Sequence, residues 1–150
     1  MKNLALSILM VFWTWSSLWA EAGIPEENQT ILVNQDQHNG PRSGWVPSKT
    51  QTHRALETIV TFLNQTLSPE WKNRQRRVIR KRFSSYHVQF VGIIVDGQKA
   101  LHCNFFPADD GFKHDTKSYV YVLDGGASYW RINVNTEEDT CFDFDVNGEG

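Results

Sequence analysis

The chain has 150 residues, with 15 Lys+Arg against 17 Asp+Glu and a formal net charge of −2. That balance supplies no bulk attraction for a nucleic-acid backbone. Past the first twenty or so residues, no stretch is apolar for the roughly 20 positions that a membrane-spanning helix needs.

Met1-Lys2-Asn3 is a short positive start, Leu4 to Ala20 is apolar, and Ala20-Glu21-Ala22 is an A-x-A pattern. This is the layout of a secretory signal peptide over residues 1–22. A membrane anchor is the rival reading, but Ser16, Ser17 and the small residues at 20 and 22 suit cleavage. No Cys follows the cleavage site, which argues against a lipid-anchored lipoprotein. The expected location is periplasmic or secreted. Cleavage removes Lys2 and Glu21, so the net charge of residues 23–150 is unchanged. Residues 23–46, rich in Asn, Gln, Gly and Pro, read as a flexible leader. Residues 47–150 read as a single domain.

Ser48-x-x-Gln51 fits a capping box that opens a first helix. Leu56, Ile59, Val60, Leu63 and Leu67 follow at helical spacing, and Ala55 and Phe62 widen the stripe. Ser68-Pro69-Glu70 starts a second helix that runs to about Arg82. Trp71, Val78 and Ile79 share its apolar arc, with Phe83 at the edge.

From Tyr86 the hydrophobic period changes to two. Tyr86–Val95 and Gln98–Phe106 flank Asp96-Gly97, a strong hairpin signal. Tyr119–Asp124 and Ala127–Asn135 flank Gly125-Gly126, which reads as a second hairpin. Thr140–Val146 is a last strand, with Phe142, Phe144 and Val146 on one face and Cys141, Asp143 and Asp145 on the other. The expected fold is α+β: a helix pair packed on a curved antiparallel meander of about five strands.

Two cysteines in an exported chain invite a Cys103–Cys141 disulfide. Strand geometry disfavours it. Cys141 points away from the core, and a simple meander puts two strands between the pair. That separates them by roughly 14 Å, against the roughly 7 Å that a disulfide tolerates. His102 neighbours Cys103 along a strand and therefore points to the opposite face, where it cannot serve as the thiol's base. No catalytic residue is identified. The five histidines lack metal-ligand spacing. Asp143-x-Asp145-x-Asn147-Gly148 matches the start of a calcium loop, but Phe144 and Val146 between them read as strand, so no metal or other cofactor is assigned.

Lys72, Arg74, Arg76, Arg77, Arg80, Lys81 and Arg82 crowd the second helix, mostly opposite its apolar arc. Such a face binds anions, or is merely solvated and partly neutralised by the acidic stretch from Glu137 to Glu149. Lys72, Arg76, Arg77 and Arg80 are the candidate contacts. In the second hairpin Tyr121 should pair with Trp130, making an aromatic strip for a sugar or protein partner. The first hairpin is apolar on both faces, with Val91, Ile93, Val95, Ala100 and Phe106 as a second patch that suggests a dimer or a covering partner. Asn28-Gln29-Thr30 and Asn64-Gln65-Thr66 are glycosylation sequons.

A helix wrapped by a curved antiparallel sheet over residues 47–147 resembles the cystatin-like or NTF2-like superfold at the level of architecture. Gln89-Phe90-Val91-Gly92 resembles the Gln-x-Val-x-Gly loop of cystatins, but it is one residue short and lies inside a strand. Tyr86–Asn104 and Asp124–Glu149 are similar to segments of small exported bacterial proteins with no known activity. The resemblance supplies no site residues.

The leading expectation is an exported non-enzymatic binding module for a protein partner or an anionic envelope component. One alternative is a small-ligand or hydrolytic enzyme with an NTF2-like cone, which needs convergent polar groups. The other is a structural homodimer built sheet to sheet.

Overall fold

The computed structural model describes residues 23–33, 40–65, 70–109 and 114–148. The signal-peptide reading, Leu67 and the Ser68-Pro69 start of the second helix lie outside the described residues, as do the side chains of Trp71 and Lys72.

Among the described residues two α-helices and a five-stranded mixed sheet make an α+β fold. In chain order the elements are β1 (Gln29–Leu32), α1 (Lys49–Asn64), α2 (Glu70–Lys81), β2 (Tyr86–Val95), β3 (Gln98–Pro107), β4 (Trp130–Asn135) and β5 (Thr140–Val146). The spatial order is also β1-β2-β3-β4-β5.

Helix α1 begins where its capping box predicts. Ser48 Oγ accepts from Gln51 N–H at 3.3 Å, and Gln51 Oε1 accepts from Ser48 N–H at 2.9 Å. Its stripe of Ala55, Leu56, Ile59 and Leu63 is buried. The β2–β3 hairpin turns at Asp96-Gly97, both at positive φ, as a type I′ turn requires. Its register places Phe90 opposite Cys103.

Val88, Phe90, Leu101, Cys103, Phe105, Trp130, Ile132 and Val134 point to the helix side and pack with Ile59, Ile79 and Phe83. The centre of that core is Trp130 stacked on Phe105, with ring centroids 3.8 Å apart and planes 2° from parallel.

Three features depart from the sequence expectation. First, described parts of the leader join the sheet. Gln29–Leu32 pairs in parallel with Val88–Val91, and Trp45 bridges to Gly92 further along β2. Trp45 Nε1–H also donates to Ile93 O at 2.9 Å. A Cβ on Gly92 would lie 2.2 Å from Trp45 O, so only glycine admits this crossing.

Second, Tyr119–Asp124 does not pair as a strand. Gly125 and Gly126 both have positive φ, but they lead into a single 3-10 turn at Gly126–Ser128, and β4 pairs with β3 instead. Trp130 therefore lies opposite Phe105 and not Tyr121.

Third, β5 carries a bulge. Its register shifts between Arg131 and Asn133, and Asp143 adopts φ 52°. The extra residue turns Cys141 to the helix side with Phe144 and Val146, and Phe142 to the opposite side. One strand, not two, then separates Cys103 from Cys141. Two strand spacings still exceed the roughly 7 Å disulfide limit, at about 9.6 Å. Both cysteines are free thiols.

Candidate functional site

The second face of the sheet carries the apolar patch expected of the first hairpin, but the chain covers it with its own residues. Val91, Ile93 and Ala100 pack with Leu32 of β1, Tyr119 and Phe142 in a small second core. The face that a sheet-to-sheet dimer needs is thus already occupied, since Leu32 is 2 % exposed and Val91 0 %.

Around this second core lies a polar network that sequence reasoning missed. Gln89 Nε2 donates to Thr116 O at 3.1 Å and Ser118 O at 2.7 Å, and its Oε1 accepts from Val120 N–H at 2.9 Å. Asn104 Nδ2 donates to Gln89 Oε1 at 3.1 Å and to Val120 O at 2.8 Å. Asn147 Nδ2 donates to Val122 O at 2.6 Å. Three side-chain amides therefore hold residues 116–122 against the sheet, taking the place of ladder bonds. The sequence signal was present as Gln89, His102, Asn104, Asn133 and Asn135 at alternate positions of otherwise apolar strands.

His102 sits within this network, and its protonation follows from its neighbours. The Asp143 carboxylate only accepts, so Asn133 must direct Nδ2–H to it, at 3.1 Å. Asn133 Oδ1 then faces His102 Nδ1 at 2.8 Å, which must carry the proton. His102 Nε2 is left to accept from the Tyr119 hydroxyl at 2.8 Å. Burial lowers the His102 pKa first of all; the Asn133 bond and Asp143 oppose that shift, and Arg131 adds to it. Burial pushes the Tyr119 phenol up to about 12, so it remains a donor. His87 bonds Thr30 Oγ1 at 2.9 Å and stacks on Phe106, and burial lowers its pKa too. Both ring nitrogens of His102 are thus committed, which leaves no lone pair to act as a general base.

This arrangement makes the fold acid-sensitive. A histidine whose folded pKa lies below its unfolded value of 6.5 binds its proton mainly in the unfolded chain. Its neutral form costs nothing above that value, and stability falls as the pH drops below it towards the folded pKa. Calorimetry should show Tm decreasing between about pH 7.5 and about pH 5, with a shallower decrease in His102→Gln. A Tm that holds or rises on acidification would contradict the assigned network.

The thiols are equally unsuited to chemistry. Cys103 is 0 % exposed, and burial, with a smaller contribution from Cys141, drives its pKa well above the ordinary range. Burial pushes Cys141 up to about 12 despite the opposing Arg76 charge. The calcium-like residues are engaged elsewhere: Asp145 pairs with Arg131, Asp143 accepts from Asn133, and Asn147 holds the covering loop. Among the described residues no three His, Cys, Asp or Glu side chains are grouped to hold a metal ion, and no helix is long and apolar enough to cross a membrane.

The predicted contact residues separate. Trp130 is 1 % exposed in the core and Tyr121 is 47 % exposed in a loop, so the two form no strip. On α2, Arg77 is exposed and Arg80 half-buried, but Arg76 is 1 % exposed. The buried arc runs through Arg76, Ile79 and Phe83 at i, i+3 and i+7, and Val78, expected inside, is 38 % exposed. Lys72 lies on α2 with its side chain outside the described residues.

Among the described residues the acidic C-terminal stretch makes no ion pair with α2. Asp139 pairs with Arg54 of α1, and Asp145 with Arg131. Among the described residues the one carboxylate beside an α2 cation is Glu70, 3.9 Å from Arg77. Arg80 Nε–H donates to Asn64 Oδ1 at 3.2 Å across the helix pair. A hollow of ≈ 320 Å³ opens there, lined by Leu63, Asn64, Gln65, Asn73, Arg77, Arg80 and Lys81. The chain matches no known protein family, no curated protein and no solved structure.

Proposed function

We propose that this protein is a non-enzymatic binding module that presents the outer arc of α2 to an anionic partner. The observation that carries the reading is an excess of positive charge on that arc. Arg74, Arg77, Lys81 and Arg82 are exposed, yet only Arg77 lies beside a carboxylate among the described residues. Cations that served only to solvate a helix would gain little from such crowding, because like charges at i, i+3 and i+4 repel. The hollow between the helices adds amide donors to the guanidinium groups, a combination suited to carboxylate or phosphate oxygens. Residues 1–22 support export, which would place the arc beside anionic envelope components. The helix-on-sheet layering supports a cystatin-like or NTF2-like kinship.

The enzyme alternative finds less support, because both ring nitrogens of the buried His102 are committed to Asn133 and Tyr119. The homodimer alternative loses its apolar face to Leu32, Tyr119 and Phe142.

The test is capture from an envelope extract of the source organism at low and high salt, with residues 23–150 as bait. The native bait should retain a partner at low salt and release it at high salt, and Arg77→Glu/Arg80→Glu should retain none. Equal capture by both baits, or by neither, would refute the reading.

A further inference from the structure

Arg76 is a cation buried to 1 % exposure. Its Nε, Nη1 and Nη2 are all buried without a hydrogen-bond acceptor, whereas Trp130 Nε1, also buried, has the Tyr86 hydroxyl within reach. Every one of these atoms is a donor, and native proteins leave few buried donors unpaired. The side chains meet one aromatic cluster. The Arg76 guanidinium lies 4.0 Å from the Phe62 ring centre, Phe62 packs edge-on against Phe144 at 5.4 Å, and Phe144 packs against Trp130 at 6.0 Å. Stacking satisfies the face of a guanidinium but none of its N–H groups. Among the described residues Cys141 is the one group with a charge effect on Arg76, and its raised pKa keeps it a neutral thiol. What these donors lack is an anion.

Phe62 and Cys141 also line a groove of ≈ 550 Å³ between α1 and the start of β5. Its other walls are Thr58, Thr61, Thr140, Gln65, the Arg54–Asp139 ion pair and Glu57. The Thr58 and Thr61 hydroxyls already donate to Arg54 O and Glu57 O, at 3.0 and 3.1 Å, so towards the groove they offer lone pairs. The groove thus supplies acceptors at its wall, the Thr58 and Thr61 hydroxyls and the Glu57 carboxylate, which suit N–H groups and repel a second negative charge; behind the Phe62 ring, outside the groove lining, lies an unpaired guanidinium.

We propose that this groove is a binding site for a small monocarboxylate with N–H groups on its body, such as an N-acylated amino acid or a peptide C-terminus. The carboxylate passes the Phe62 ring, which swings aside, and takes two N–H bonds from Arg76. The N–H groups of the ligand meet Thr58 and Thr61. A single charge matches a single guanidinium, and a planar carboxylate fits its fork. A phosphate dianion would bring one uncompensated charge into an aromatic surround. The site is separate from the outer arc of α2, so its failure would leave the proposed function standing.

The test follows the Nε–H resonance of Arg76 by NMR, assigned by its loss in Arg76→Met. The probes are N-acetylalanine, its uncharged amide and inorganic phosphate. N-acetylalanine should shift the resonance saturably, and the amide and phosphate should not. Arg76→Met should retain the native amide spectrum and bind N-acetylalanine at least about tenfold more weakly by calorimetry. Arg77→Glu/Arg80→Glu should bind it normally. No saturable shift with N-acetylalanine, an equal shift with the amide or phosphate, or undiminished binding by Arg76→Met would overturn the proposal.

Discussion

Trp130→Ala should destabilise the protein by about 3–5 kcal/mol, and Tyr121→Ala should stay within about 0.5 kcal/mol of the native chain. The two residues look equivalent in sequence, as aromatics near a Gly-Gly turn. The fold separates them. Trp130 is 1 % exposed, stacks on Phe105, and meets Phe83, Tyr86 and Phe144 around its rim. Truncation removes those contacts and leaves a cavity that the flanking strands cannot close, because the backbone at Trp130 is tied to both β3 and β5. The loss includes the aromatic stacking itself, worth about 0.5–1.5 kcal/mol beyond area. Tyr121 is 47 % exposed and outside the sheet. Domains of this kind have only about 5–15 kcal/mol in total, so Trp130→Ala should be marginal at ordinary temperature. Urea titrations of both variants decide the matter. A Tyr121→Ala variant as unstable as Trp130→Ala would restore the paired-strip arrangement.

The parts of this fold that were legible from residues alone are the ones specified locally. Ser48 and Gln51 close a box within one helical turn, and Asp96-Gly97 sets the register of two strands that adjoin it. Both signals act between neighbours. The parts that were not legible depend on distant partners. Gln29–Leu32 has no turn to announce it, because a parallel edge strand is joined to β2 only through the whole helical segment. Gly125-Gly126 resembles a hairpin turn, yet Gln89, Asn104 and Asn147 outbid the ladder for residues 116–122 with side-chain amides. The bulge at Asp143 is one residue long, and it reverses the faces of Cys141 and Phe142. Helix α2 failed for another reason. A helical wheel separates its charged and apolar residues only if every cation seeks water. Arg76 breaks that assumption, and so the candidate site came into view only with the packing.

Replacing Arg76 by methionine should raise the stability of the ligand-free protein by about 1–4 kcal/mol, the range seen when even paired buried charges give way to well-packed apolar side chains. Two effects oppose each other. Methionine forfeits the guanidinium–Phe62 contact, which contributes about 0.5–2 kcal/mol. It also removes the cost of holding a charge, with three unpaired nitrogens, away from water, and that cost is several kcal/mol even after relaxation. Burial lowers the pKa of Arg76 chiefly through this same desolvation. A guanidinium titrates far above neutrality, so the group cannot escape the cost by shedding its proton. Desolvation therefore outweighs the contact. Methionine is unbranched and flexible enough to fill the space beside Phe62 without strain. Arg77→Met on the exposed arc is the control and should change stability by less than about 0.5 kcal/mol. Chemical denaturation of the two variants beside the native chain gives the sign directly. A gain confined to Arg76→Met would show that the native chain sacrifices stability at this one position, as a site built to receive a partner does. A loss of stability in Arg76→Met would mean that the guanidinium is already satisfied in the folded protein, and the case for an anion beneath Phe62 would fall with it.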